Sequence, residues 1–175
     1  NLNKQLATHG FLLAPDVSTI DRTNLAGTIG NNSAGARSVR FGRTIDHVRS
    51  LHVALTDGSR ADFGPIQEKD LRSKLALSSR EGDIYRSVRR VLIEHRDEIR
   101  RRYPKVFRRV SGYNLDSLEQ DGNLDLARLI VGSEGTLATV LEATLNIVPL
   151  AKHRGMGVLE FAGVDEALSA VPELL

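Results

Sequence analysis

The stretch Thr23-Asn24-Leu25-Ala26-Gly27-Thr28-Ile29-Gly30-Asn31-Asn32-Ser33-Ala34-Gly35 holds three glycines and two alanines in thirteen residues. Side chains this small leave the backbone uncovered. They permit dihedrals closed to other residues and let a ligand approach the main chain. Free N–H groups in such loops, or at a helix start, bind phosphate oxygens. The asparagines and Ser33 can add side-chain hydrogen bonds. The stretch is not a Walker loop, which needs Gly-Lys-Ser/Thr, and it lacks the G-x-G-x-x-G spacing of dinucleotide folds. A tight loop that merely lets backbones pack is the competing reading, and the stretch alone does not choose between them.

Around it, the first forty-five residues are short apolar pieces broken by glycine, asparagine and proline, with Pro15-Asp16 as a loop or helix start. Leu51 to Thr56 reads as a strand, Asp57-Gly58 as a hairpin turn and Arg60 to Phe63 as the return strand. Residues 66–79 are polar and ambiguous. A long amphipathic helix follows, capped by Asp83, with Ile84, Val88, Val91, Leu92 and Ile99 at helical spacing through Arg102. Tyr103-Pro104 stops it. Asp121-Gly122-Asn123 reads as a turn. Leu126 to Val131 reads as a buried strand, Thr139 to Val148 as a strand ended by Pro149, and Met156 to Phe161 as a further strand. Val164 to Leu175 reads as the start of a helix. A lone strand–helix pair cannot bury both its faces, so 151–175 is expected to open a second domain.

The bulk numbers fit one compact domain, or one domain plus part of another: 175 residues, 41% hydrophobic, 26% charged and a net charge of +2. There is no cysteine, which excludes disulfides, cysteine nucleophiles and cysteine metal sites from this chain. No apolar run approaches a membrane span. A cytoplasmic setting is expected, with peripheral attachment to a membrane as a variant. The charge is uneven: Arg96, Arg100, Arg101, Arg102, Lys105, Arg108 and Arg109 fall within fourteen residues. Such a cluster can attract nucleic acid or other anions. No aromatic residues are interleaved for base stacking, so a solvated helix end is the favoured reading and nucleic acid the alternative. The five histidines, His9, His47, His52, His95 and His153, show no metal-ligand spacing, so no metal site is expected.

The second informative segment is Leu129-Ile130-Val131-Gly132-Ser133-Glu134-Gly135-Thr136-Leu137. It reads as an apolar run ending in a small-residue turn with one carboxylate. Glu134 could be a general base, a turn acceptor or a cofactor contact. A single carboxylate without a partner favours the turn role.

Together these segments resemble one family. The landmarks are Ala14-Pro15-Asp16, Leu25-Ala26-Gly27 through Asn32-Ser33-Ala34-Gly35, Tyr113-Asn114-Leu115, Val131 to Leu137, and Glu142-Ala143-Thr144-Leu145 with Pro149. Their order and spacing are similar to the FAD-linked oxidases whose FAD-binding domain is of the vanillyl-alcohol oxidase and para-cresol methylhydroxylase type. Glycolate oxidase and D-lactate dehydrogenase flavoproteins belong to that family. The basic stretch from Arg80 to Arg109 resembles a subgroup that carries a C-terminal iron–sulfur region and oxidises D-2-hydroxy acids.

The resemblance implies an α+β fold, a mixed or antiparallel sheet flanked by helices. Residues 1–150 would form the FAD-binding domain, without its N-terminal part, and 151–175 the first βα unit of a cap. It implies FAD as cofactor, with iron–sulfur only in a further C-terminal region, and a small 2-hydroxy acid as substrate of an intact oxidoreductase. The cofactor residues it points to are Pro15, Asp16, Ser18, Thr19, Asn24, Leu25, Gly27, Gly30, Asn31, Asn32, Gly35 and Arg37. From the second segment come Glu134, Gly135, Thr139 and Val140. Ala26 and Ala138 depart from the family pattern, each standing where relatives usually carry glycine. Catalytic residues are expected outside this chain, so the chain alone should be inactive and hold FAD weakly. No covalent flavin bond is expected at His47.

Overall fold

A computed structural model describes residues 2–106, 108–153 and 155–174. Its elements in chain order are α1 (Leu2–Ala7), β1 (Phe11–Leu12), α2 (Leu25–Gly30), α3 (Ser38–Phe41), β2 (Val48–Ala54), β3 (Arg60–Phe63), β4 (Pro65–Gln67), α4 (Glu68–Leu75), α5 (Arg80–Glu94) and α6 (Arg96–Arg102). They continue as β5 (Glu119–Gln120), β6 (Asn123–Asp125), α7 (Ala127–Ile130), β7 (Thr139–Leu145), β8 (Val148–Pro149) and α8 (Val164–Leu174). The fold is α+β, and every strand pair is antiparallel.

The chain divides into two compact units. One is Leu13–Ile147; the other joins Asn1–Leu12 to Val148–Leu175. In the larger unit β2 is the middle strand of a three-stranded sheet, between β3 and β7. Its hairpin partner is set in register by Leu51 opposite Phe63 and Val53 opposite Ala61. Gly58, at φ 82, makes the turn that Asp57-Gly58 forecast. Leu51 and Val53 face the core at the strand period of two, and Val48 joins them across a register shift between Val48 and Ser50. A second sheet, β4-β6-β5, closes through Asp121 and Gly122, both left-handed at φ 50 and 75.

The core joins these sheets to α4, α5 and α7 through Val53, Phe63, Leu71, Tyr85, Leu92, Leu118, Leu126 and Val131. Tyr85 meets Phe63 edge-on, ring centres 6.0 Å apart.

Several elements differ from the sequence reading. The Asp83–Arg102 helix is two helices: α5 begins at Arg80 behind Ser79, and His95 leaves helical dihedrals at φ −114, ψ 17 before α6. Leu126–Val131 is not a strand but contains the single turn of α7. An apolar run without periodicity cannot be told from a buried helix. Here Asp125 decides, because its Oδ1 accepts the Ala127 N–H at 2.9 Å and starts the turn. Burial pushes the Asp125 carboxyl up, against the lowering effect of that bond and of Arg128. The strand expected through Val148 ends at Leu145.

In the smaller unit β1 pairs β8, Phe11 opposite Pro149. The Leu150 N–H donates to Gly10 O at 2.8 Å. The expected strand at Met156–Phe161 does not form: residues 155–161 run without a partner strand, and Met156 is 93% exposed. Backbone that no neighbour can pair has no ladder to join. α8 follows as expected up to Leu174, and Leu175 lies outside the described residues.

Candidate functional site

The glycine-rich stretch is a helix in its first half. Asn24 sits before α2 in extended backbone, and its Oδ1 accepts the Gly27 N–H at 2.6 Å. This is an N-cap, and it is why the stretch turns helical despite its glycines. Helix geometry leaves the N–H groups of Leu25 and Ala26 without an intrahelical acceptor. The far end closes with equal economy. Asn32 is left-handed at φ 46; its N–H donates to Ile29 O, and the Ser33 N–H donates to Thr28 O. These two bonds form a Schellman cap with asparagine in the place glycine usually takes.

The second segment docks onto that closed end. The Gly132 N–H donates to Ile29 O and the Glu134 N–H to Gly30 O, both at 3.0 Å. Two stretches a hundred residues apart therefore share one backbone patch. Gly132, Glu134 and Gly135 are all left-handed, at φ 83, 52 and 76. The turn is pinned from within by Thr136, whose N–H and Oγ1 both donate to Ser133 O. Glu134 and Gly135 remain exposed, as do Ser18, Thr19, Asn24, Gly27, Asn31 and Thr139. Leu25, Gly30 and Val140 are partly covered. Thr139 and Val140 begin β7, opposite Ala54 and Val53 of β2.

Pro15 and Asp16 join the site through Gly35. A Cβ on Gly35 would lie 2.1 Å from Asp16 O and 2.3 Å from its Oδ1, so only glycine fits. The Asp16 carboxylate accepts the Arg37 backbone N–H at 3.2 Å and its Nε–H at 2.7 Å. Arg37 is thus committed to a carboxylate that clasps the two ends of the loop, and Pro15 is buried. Gly27 and Gly30 are different. Among the described residues, beyond the helix's own backbone and the chain neighbours, Asn24 and the Glu134 Cα are what comes within 4 Å of a Cβ built there, so the main chain stays approachable. Of the two departures from the family pattern, Ala26 is exposed in α2 and Ala138 is buried.

Asn32 is fully buried. Its Oδ1 accepts the Ile45 N–H at 2.9 Å, while its Nδ2 finds no partner among the described residues. A buried amide donor without an acceptor is costly unless something outside the chain supplies one. Sequence reasoning singled out Asn32 as a ligand residue but did not foresee this latch to Ile45. It named Asn114 only as part of a family landmark and Arg108 only as part of the basic cluster, and gave neither a place at the site. The Arg108 Nη2 donates to Gly35 O at 3.1 Å and to Ser38 Oγ at 2.7 Å.

The basic cluster is largely paired internally. Arg96 meets Glu119, Arg101 and Arg102 meet Glu98, and Arg109 meets Asp116 while stacking over Tyr103. The bond from Arg101 pulls the exposed Glu98 carboxyl below its ordinary range. His47 is buried; its Nε2–H donates to Phe41 O at 2.6 Å. Among the described residues no cluster of His, Asp or Glu could hold a metal ion, and no helix is long and apolar enough to cross a membrane.

Comparison with known proteins gives this geometry its context. Residues 1–64 match the model of a family described as an FAD binding domain. The chain is 36% identical to a D-2-hydroxyglutarate dehydrogenase of Pantoea ananatis over 173 residues, 98% of this chain. It is 33% identical to the enzyme of that name from Escherichia coli, again over 98% of the chain, and 25% identical to the glycolate oxidase subunit GlcD of Bacillus subtilis over 172 residues. The chain spans 17% of the length of the two dehydrogenases and 26% of GlcD. The landmark segments and these matches agree: the chain is similar to FAD-linked oxidoreductases, and residues 1–64 carry the match to the FAD binding domain.

Proposed function

We propose that this chain forms one wall of an FAD site in a flavin-dependent dehydrogenase that oxidises a D-2-hydroxy acid to the 2-oxo acid. The observation that carries it is the joining of the α2 end to the 132–135 turn. It ties Ile29 and Gly30 of the first segment to Gly132 and Glu134 of the second, next to the exposed Asn31, Glu134 and Gly135. The residues fit the cofactor chemically. Ser18, Thr19, Asn24 and Asn31 offer neutral hydrogen bonds, Gly27 and Gly30 leave the main chain accessible, and Asn32 holds a donor that finds no partner among the described residues. Such donors suit pyrophosphate and ribityl oxygens. FAD, when bound, supplies the acceptor for a hydride from the substrate carbon.

In this reading Asn24, Leu25, Gly27, Gly30, Asn31 and Asn32 line the phosphate side, with Ser18 and Thr19 beside them. Glu134, Gly135, Thr139 and Val140 lie along the rest of the cofactor. Pro15, Asp16, Gly35 and Arg37 set the loop's shape more than they touch the ligand. The domain belongs to the vanillyl-alcohol oxidase type, 151–175 opens the cap, and the residues that deprotonate substrate lie outside this chain. The D-2-hydroxyglutarate dehydrogenase matches favour a short D-2-hydroxy dicarboxylate over lactate or glycolate.

The test is anaerobic mixing of the protein carrying this chain with D-2-hydroxyglutarate. The flavin band should bleach with the D enantiomer and persist with the L. Bleaching by neither 2-hydroxyglutarate, lactate nor glycolate would defeat the substrate assignment.

A further inference from the structure

Asn114 is 1% exposed and lies in a loop that contributes no residue to the patch described above. Its Nδ2 donates to Val131 O at 2.7 Å and to Arg128 O at 3.2 Å. Both partners are carbonyls, so the amide orientation is dictated by chemistry. These carbonyls are among those a helix end leaves unsatisfied, and α7 is the helix whose end leads directly into Gly132. A Cβ on Gly132 would stand 3.4 Å from Asn114 Nδ2 and 3.2 Å from Asn32 Cβ, so the two buried asparagines flank the first residue of the turn. The neighbouring Tyr113 OH is 2.9 Å from Thr136 Oγ1, at the turn's other end. Tyr113 O in turn accepts the Tyr103 hydroxyl at 2.6 Å.

We infer that Asn114 is a positioning residue. It fixes the exit of α7 so that Gly132 and Glu134 reach the α2 carbonyls, and thereby sets where Glu134 and Gly135 meet the cofactor. This rests on the FAD reading above, but the geometry of the turn does not. The Asn114 amide spends both donors on carbonyls that point the chain toward the turn. An apolar or acceptor-only residue there leaves those carbonyls buried and unpaired.

Asn114→Asp keeps the shape and removes the amide donor. In the protein carrying this chain, deuterium uptake across 130–136, read by mass spectrometry without flavin, should accelerate at least tenfold at pH 8. It should slow again near pH 5, relative to wild type at the same pH, as the carboxyl takes a proton and can donate. FAD affinity, read by flavin fluorescence, should fall at least tenfold at pH 8 and recover in step. Leu71→Ala, a buried core truncation in α4, serves as the control. It should lower the unfolding midpoint while leaving exchange across 130–136 and FAD affinity within twofold of wild type. Unchanged exchange in Asn114→Asp would overturn the inference, as would equal loss in the control. Faster exchange in a protein whose wild type binds no FAD would sustain the positioning role and defeat the cofactor reading instead.

Discussion

Glu134 holds a left-handed backbone at φ 52, between two glycines that hold it more easily. For a residue with a Cβ that conformation costs about 1 kcal/mol, and glycine would avoid most of it. The carboxylate is exposed, so no buried contact repays the strain. On the cofactor reading proposed above, the side chain is kept for what it meets when the site is filled. Glu134→Gly should therefore raise the stability of the flavin-free protein by about 1 kcal/mol in a denaturant titration. It should also weaken FAD roughly tenfold, the worth of one hydrogen bond to a charged group. A variant that gains stability with unchanged FAD affinity would return Glu134 to the turn role that its chemistry alone suggests. The sequence exposed the residue but not its strain, because nothing in Ser-Glu-Gly-Thr states that the glutamate, as well as the glycine, turns left-handed.

At the scale of elements, legibility followed local chemistry. The β2–β3 hairpin was readable because Asp57-Gly58 and the alternation of Leu51, Val53, Ala61 and Phe63 say the same thing. The α5–α6 break was not: His95 is neither glycine nor proline, and the apolar spacing runs on to Ile99 across it. α7 was read as a strand because the deciding bond, Asp125 to the Ala127 N–H, lies one residue before the apolar run. The glycine-rich stretch was legible as a site but not as a helix. Its Asn24 cap is an ordinary N-cap signal, outweighed by the glycines around it. Gly35 shows the limit most clearly. Sequence offered a glycine with room for a ligand; in the fold that space belongs to Asp16. Gly35→Ala should push Asp16 away and break the Arg37 clasp. The expected cost is about 1–3 kcal/mol of stability, the range for overpacking a tight contact, with FAD binding lost in proportion. Wild-type stability and affinity in Gly35→Ala would show that the clasp does not shape the loop.

At the scale of the molecule, the two halves of the site come together only through tertiary structure. Gly30 and Glu134 are linked by a single backbone bond across the larger unit, and no window of sequence displays it. What the sequence did display was a family resemblance, through spaced motifs rather than through any one element. The basic cluster, which offered a rival function, is drawn into pairs with Glu98, Asp116 and Glu119 and into the loop beside Gly35. Three carboxylates offset part of the cluster's seven positive charges, which weakens its attraction for a polyanion without cancelling it.

The central claim is that this chain is built around FAD, and the most direct measurement is of what the purified protein carries. The protein containing this chain should copurify with a yellow chromophore. Denaturation should release it without a covalent bond to the polypeptide, and mass spectrometry should identify it as FAD. A colourless protein that cannot be reconstituted with added FAD would contradict the account.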